Sequence, residues 1–306
     1  MKKLTILLLA LCFGAHLQAQ KHEIVLNLEK GKEYHQNSVV KSTVSQSVMG
    51  QQMTISTTIS SNLVYKVVGV GADYYDMEVR YTKMAMEMEM PMMGAMSYSS
   101  ENPEEGDLFS LIFSQMTNVP FGVRLSRIGE VLAIENMEAV FEPIMNSELV
   151  PPAQRDEIKA QLSQSYGEEG LRSQLTSLLG VMPAQPVAIG ESWDRNTRVV
   201  NQMVMDVHTT YTLAEKTPAY FLIKGTSQIQ SADKDIPLQT QGMNMYFDLS
   251  GTMVSEIRLD ARTGWITRST TSQEITGEAE LEANEMMPEG MKIPMHILTQ
   301  MEMSAQ

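Results

Sequence analysis

The sequence predicts a mainly β protein of long, curved antiparallel strands, a half-barrel or deeply curved sheet, with a helical segment at its centre. Three observations carry this expectation. Apolar and polar residues alternate with period two over much of the chain, several alternating runs last twelve to eighteen residues, and the stretch from Met137 to Leu179 changes to helical spacing. Strands usually run about five or six residues. Strands three times that length reach about 50 Å if straight, more than a domain of this size can hide, so they must coil.

Residues 1–19 read as a signal peptide. Met1, Lys2 and Lys3 form a charged start, Leu4 to Phe13 an apolar stretch, and Leu17-Gln18-Ala19 a cleavage site. The apolar run is too short for a membrane helix, and no later segment approaches about eighteen continuous apolar residues. A periplasmic or secreted protein, not integral to a membrane, is expected, cleaved after Ala19. The single cysteine, Cys12, lies inside this leader behind Leu11, where lipid attachment would want a small residue. The mature chain then has no thiol for disulfides, thiolate metal sites or cysteine nucleophiles.

A first β-rich portion is expected over 20–135. Met53, Ile55, Thr57, Ile59, Ser61, Leu63, Tyr65 and Val67 present one face, and Tyr75, Met77, Val79 and Tyr81 repeat the pattern. In Met84-Ala85-Met86-Glu87-Met88-Glu89-Met90-Pro91-Met92 the methionines hold even positions, whereas the preceding apolar residues are odd. A bulge near Thr82-Lys83 would reconcile the two faces. The stretch 84–106 is methionine-rich and continues from Pro91 as a loop. Asp107 is placed to cap a short helix over Leu108 to Met116.

The helical segment covers 136–183. Met137, Val140, Phe141, Ile144 and Met145 form one stripe, Pro151-Pro152 breaks it, and Ile158, Leu162 and Tyr166 form a second. Leu171, Leu175, Leu178 and Leu179 form a third, ended by Gly180 with Pro183 beyond. A second β-rich portion, 184–306, carries Met203, Met205, Val207, Tyr211 and Leu213, then Phe221, Ile223 and Ile229. Its longest run is Met243, Met245, Phe247, Leu249, Met253, Ile257 and Leu259, which Gly251 could bend.

The two β-rich portions read as relatives. Gly31-Lys32-Glu33-Tyr34 opens one and Gly190-Glu191-Ser192-Trp193 the other. Ser126-Arg127-Ile128-Gly129-Glu130-Val131 likewise matches Ala261-Arg262-Thr263-Gly264-Trp265-Ile266. Convergent hairpin chemistry is the competing explanation. The exported leader, the Gly-x-x-aromatic strand starts, the central helices and Pro186-Val187-Ala188-Ile189-Gly190-Glu191-Ser192-Trp193 together resemble an uncharacterised family of exported proteins from Bacteroidota. The resemblance covers nearly the whole mature chain and implies no catalytic residue. In outline the layout is also similar to periplasmic lipoprotein-carrier half-barrels, which hold an acyl chain between a curved sheet and helices.

Charge narrows the partners. The chain carries a formal charge of −14, and losing Lys2 and Lys3 would leave 21 basic against 37 acidic residues, a charge of −16. No basic cluster exists to bind nucleic acid or anionic headgroups. Methionine, at 26 residues, is the compositional anomaly. A methionine stripe can line a core or an adaptable groove, hold Cu(I) or Ag(I), or act as an oxidant sink. Alternate residues of one strand lie roughly 6.6 Å apart, too far for all of the stripe to clasp one ion, so a metal site needs methionine or histidine from a neighbouring strand, with His296 the best-placed histidine. His208 shares a polar face with Asp206 and Thr210.

Catalytic signatures do not assemble. Gly-x-Ser-x-Gly, His-Glu-x-x-His and a phosphate loop are missing from the sequence. Ser38-Val39-Val40-Lys41 falls in a strand, Gly69-Val70-Gly71 reads as a turn, and Asp233-Lys234-Asp235 reads as a solvated turn. Aromatic residues are only 6% and the chain ends Met303-Ser304-Ala305-Gln306, unlike an outer-membrane barrel with aromatic girdles. The expectation is a non-catalytic envelope protein, with no cofactor, that binds a hydrophobic small molecule or lipid. Met84, Met86, Met88, Met90, Met203, Met205, Met243 and Met245 are its candidate lining. An envelope scaffold docking a protein partner, and thioether binding of Cu(I) or Ag(I), stand as alternatives.

Overall fold

The computed structural model describes residues 20–306 apart from 49, 92–93, 102, 104–106, 147–151, 153–154, 201–202, 241–242, 284–288 and 306. The expected leader lies outside the described residues, as do Met92 and Pro151. Alternating sequence becomes strand throughout. The first half contains β1 (Lys21–His22), β2 (Glu33–Val48), β3 (Gln51–Val70), β4 (Tyr74–Met90), β5 (Gly94–Ser99), β6 (Phe121–Ser126) and β7 (Val131–Glu135). The second contains β8 (Val187–Ala188), β9 (Ser192–Val200), β10 (Val204–Lys216), β11 (Tyr220–Ser231), β12 (Leu238–Thr240), β13 (Met243–Asp260), β14 (Ile266–Leu281) and β15 (Met291–Ser304). Helix α1 (Leu108–Met116) precedes β6, and α2 (Glu138–Asn146), α3 (Arg155–Tyr166) and α4 (Glu168–Leu179) separate the halves.

One antiparallel sheet runs in the order β7-β6-β4-β3-β2-β15-β14-β13-β11-β10-β9, with β5 added to β4 and β12 to β13, while β1 pairs β8 separately. The mainly β, curved and open architecture read from the sequence is therefore present. Part of the stretch expected as a loop is ordered, because Gly94–Ser99 folds back on Ala85–Met90 as β5. The parity change before Met84 is resolved as foreseen. Asn62 faces Lys83 and Leu63 faces Tyr81, so Thr82 is the extra residue of a bulge. Asp107 accepts a hydrogen bond from the Ser110 N–H at 3.1 Å and caps α1.

The two halves repeat one another down to single backbone bonds. The Gly31 N–H donates to Val67 O and the Val67 N–H to Lys32 O; the Gly190 N–H donates to Leu213 O and the Leu213 N–H to Glu191 O. Arg127 N–H donates to Asp73 O in one half, and Ala261 N–H to Ala219 O in the other. Between the two closing hairpins runs the N-terminal segment, where Leu26 N–H donates to Arg127 O at 2.7 Å and Asn27 N–H to Thr263 O at 2.8 Å. Its Ile24, Leu26 and Leu28 are buried in the main core, together with Tyr65, Val79, Val140, Leu171, Leu213 and Trp265.

Curvature brings the two sheet edges to the same helix. Arg172 of α4 donates to Val131 O of β7 at 3.0 Å. The neighbouring Ser173 donates its hydroxyl proton to Arg198 O of β9 at 3.3 Å and accepts the Val200 N–H at 3.0 Å. At Gly251 in the middle of β13 the neighbouring strand comes so close that a Cβ would meet the Glu274 carbonyl oxygen at 2.1 Å, which is why the position takes glycine.

Four outcomes follow from this arrangement. Gly264 has φ +68° and a Cβ would lie 2.2 Å from Val25 O, so Gly264→Ala should cost at least about 3 kcal/mol in urea unfolding. Gly190→Ala, at φ +88° with open space around it, should cost only about 1–2 kcal/mol. Ser173→Ala leaves the Val200 N–H and Arg198 carbonyl without their bridging hydroxyl and should cost about 1–3 kcal/mol by the same measurement. The Asp260 carboxylate is subject to burial, which raises its pKa, but its bonds from Thr263 N–H and hydroxyl and from Arg262 N–H outweigh this and hold it below its ordinary value. A depressed carboxylate stabilises the fold above its unfolded pKa of about 3.9 and ceases to do so as pH falls through the folded value. Asp260→Asn should therefore flatten the loss of stability below about pH 4.

Candidate functional site

The sheet has one face toward the helices, and the register sorts that face into continuous rows. At the margin of the main core, Met86, Ile59, Val40, Met301, Thr271, Ser255, Gly225, Tyr211 and Trp193 are successive cross-strand partners from β4 to β9. The next row is Met88, Thr57, Ser42, Thr299, Gln273, Met253, Ser227, Thr209 and Arg195. The one after that is apolar again: Ile55, Val44, Ile297, Ile275, Gly251, Ile229, Val207 and Thr197. Apolar, hydroxyl-rich and apolar bands thus follow one another along the strands.

The helix-proximal end is filled; beyond it the face is unevenly covered, half-buried through the middle of the first two rows and buried again at Thr209, Ser227, Ile229, Ile275 and Ile297. Trp193 and Met86 pack against the main core at the two ends of the first row. In its middle Val40, Met301, Thr271 and Ser255 are half-buried, and Ile59 is 43% exposed although it points to the same face as the buried Tyr65. In the hydroxyl row, side chains satisfy one another: Ser42 and Thr299 are 3.3 Å apart and Thr209 and Ser227 2.8 Å apart. Arg195 is held by Glu130 and by the Met182 carbonyl, each at 2.7 Å. A concavity of about 830 Å³ lies across β9, β10, β11 and β13 at the level of the third row, but most of its lining, including Asn196, Arg198, Asp206, His208, Gln228 and Thr252, belongs to the opposite, polar face of these strands. That volume lies within the usual range of small-molecule sites, about 300–1,000 Å³.

The eight methionines do not converge on one place. Met84 is 4% exposed within the main core, Met86 packs against it, and Met88 and Met90 continue along β4 as half-buried side chains. Met205 is buried with Ile229, Leu249, Ile275 and Ile297, and Met203 packs on this second cluster. Met245 packs on a third cluster of Ala279, Leu281 and Ile293. Met243 pairs with Thr240 in the backbone, and its side chain lies outside the described residues. Along the sheet path, β3, β2, β15 and β14 separate the β4 group from the β13 group. None of the eight lines the 830 Å³ concavity.

His296 is not a partner for these sulfurs. Period two sends it to the outer face, where its Nε2 lies 2.9 Å from Glu274 Oε1, while Met295, Met301 and Met303 point inward. His208, on the polar face as expected, lies 2.7 Å from Asn196 Oδ1. Ser38 pairs with Ser61 at 2.8 Å and Lys41 is exposed on the opposite face, so Ser-x-x-Lys is a strand coincidence. Lys234 pairs with Asp248, and Asp233 lies 3.7 Å from Arg198, which accounts for that turn. Burial, and secondarily Tyr81, pushes the Tyr65 phenol far up; its hydroxyl donates to Gln36 Oε1 at 2.8 Å and is structural. Among the described residues no group of three or more His, Cys, Asp or Glu could hold a metal ion.

Two features escaped sequence reasoning. Ile59 was placed on the apolar face without any sign that nothing covers it. Met96 of β5, directly opposite Met88, fell in the stretch read as a loop. The small residues of Gly94-Ala95 and the nearby Tyr98 were the available signal for a hairpin strand there.

No helix among the described residues is long and apolar enough to cross a membrane. No curated protein matches the chain. Two solved structures align over most of it: the COG4313 outer membrane channel from Pseudomonas putida F1, at 7% identity, over 92% of this chain and 97% of that one, with a TM-score of 0.28, and a DUF1329 family protein from Desulfovibrio piger ATCC 29098, at 10% identity, over 88% and 83%, with a TM-score of 0.13. Superposition this loose bears on neither fold nor role. The family comparison is of a different kind, since a single model spans residues 72–266, from the hairpin before β4 to the start of β14, and on that match the chain belongs to the family of unknown function DUF6263.

Proposed function

We propose that this protein is an exported, non-catalytic envelope protein that binds a hydrophobic or lipid-like molecule on the inner face of its sheet. The observation that carries this reading is Ile59, 43% exposed on the face where Tyr65 and Leu63 are buried, between half-buried Val40 and Met86. An apolar row left uncovered beside a packed core costs stability unless something covers it part of the time. Burying such a row returns about 25 cal/mol per Å² of apolar area. The neighbouring hydroxyl row, where Ser42 pairs with Thr299 and Thr209 with Ser227, can face either water or the polar part of an amphipathic guest. Methionine at Met86, Met88 and Met301 suits guests of varied shape, because its side chain repacks at low cost.

Native mass spectrometry of protein purified from its own cells, with uptake of a fluorescent fatty acid, tests the reading. Wild type should carry or take up an apolar-chain molecule, and Ile59→Asp should weaken uptake by about tenfold or more while leaving the fold intact by circular dichroism. Equal uptake by both proteins, or none by either, would remove the reading.

A further inference from the structure

The β4–β5 ribbon supports a second site, which shares only Met88 with the surface proposed for the guest. In its antiparallel register Met88 stands directly opposite Met96, and Met90 stands opposite Gly94. Directly opposed residues have Cβ atoms about 4.5–5.5 Å apart, and diagonal ones about 7–8 Å. A methionine sulfur lies two bonds beyond Cβ, and a soft ion sits roughly 2.3 Å from a sulfur ligand. Both separations can therefore be spanned by two thioethers sharing one ion. Three methionines in sequence along β4 could not do this, but a methionine from the paired strand can.

The surroundings favour such a role. Met88, Met90 and Met96 are all half-buried, accessible to a small ion yet shielded from bulk water. Gly94 presents no side chain against Met90, which leaves that thioether room to turn toward Met96. The Tyr98 hydroxyl donates to Met96 Sδ at 3.4 Å, and its ring packs on Phe109 of α1 at 5.0 Å. One lone pair of that sulfur is thus engaged and the other is free, the kind of second contact that orients a ligand. Exposed Glu87 and Glu89 alternate with the methionines on the opposite face and make the local potential attractive to a cation. Thioethers without thiolate, imidazole or carboxylate partners select soft monovalent ions over zinc, calcium or magnesium.

We propose that Met88, Met90 and Met96 form a thioether site for one soft monovalent metal ion, Cu(I) or Ag(I), with Tyr98 as a positioning residue. The test is titration of Ag(I), and of Cu(I) under reducing conditions, into the full mature protein, with methyl-¹³C methionine spectra recorded in parallel. One ion should bind, and three methionine methyl signals, assigned by single Met→Leu variants, should move together. Met88→Leu/Met96→Leu should weaken binding by more than about 100-fold, and Tyr98→Phe by roughly tenfold. Met291→Leu/Met295→Leu, which removes the same number of sulfurs elsewhere, should leave affinity unchanged. Unchanged affinity in Met88→Leu/Met96→Leu would overturn the proposal. So would wild-type spectra in which other methionines respond or none does, an outcome that needs no variant to fold.

Discussion

A sheet that does not close on itself leaves two rows of unpaired backbone groups, and the rest of this molecule is arranged around where those rows go. Here the edges are β7 and β9, at opposite ends of the strand order, and curvature brings both to α4. The helix meets them with adjacent residues: Arg172 reaches the β7 carbonyl, and Ser173 serves one donor and one acceptor of β9. An edge partly covered in this way is a poorer template for another chain. The helical segment between the halves is thus part of the sheet's closure, and its place in the sequence follows from linking the last strand of one half to the first of the next.

That closure decides which part of the inner face is filled. The helices, the N-terminal segment and the hairpin ends of both halves occupy one end, where Tyr65, Tyr211 and Trp265 pack and burial pushes both tyrosine phenols up. The strands continue well past this plug, since β3 has 20 residues and β13 has 18. Helices 9 to 12 residues long cannot cover strands of that length. The incompletely covered middle of the first two rows is the geometric remainder, and paired hydroxyls and flexible thioethers are side chains that tolerate being left there, while the third row is buried in a second cluster with Leu249 and Met205.

Strand identity was legible in the sequence because period two is a local property. The long β3 run, the Thr82 bulge implied by the parity change at Met84, and the Asp107 cap could all be read from neighbours in the chain. Cross-strand and tertiary placement could not. His296 looked like a companion of the methionines around it, yet the same alternation that made its strand recognisable sends it to the other face. Met88 and Met96 are only eight residues apart, but their pairing depends on where the hairpin turns. The separation of the eight methionines into clusters on β4 and on β10 and β13 depends on sheet order, which no local pattern records. The match between Gly31-Lys32-Glu33-Tyr34 and Gly190-Glu191-Ser192-Trp193 was visible, and its meaning emerges only from the equivalent bonds to Val67 and Leu213.

The joint between the halves explains why the rows run unbroken. The last strand of the second half, β15, pairs with the first of the first half, β2, in regular antiparallel register from Met295↔Gln46 to Ser304↔Asn37. On the inner side of this joint Gln36 bridges Tyr65 and Met303, and Trp265 packs on Tyr34 at 5.2 Å and on Tyr65 at 5.1 Å. A one-residue slip there would turn Val40, Ser42 and Val44 outward while Met301, Thr299 and Ile297 stayed inward. The polar bridge has only one satisfied arrangement, so it penalises that slip more than an apolar contact would. Register at a single strand pair thereby makes one continuous wall out of two half-sheets, and it is this continuity that places the exposed Ile59 row, the hydroxyl row and the Met88–Met96 ribbon on the same surface.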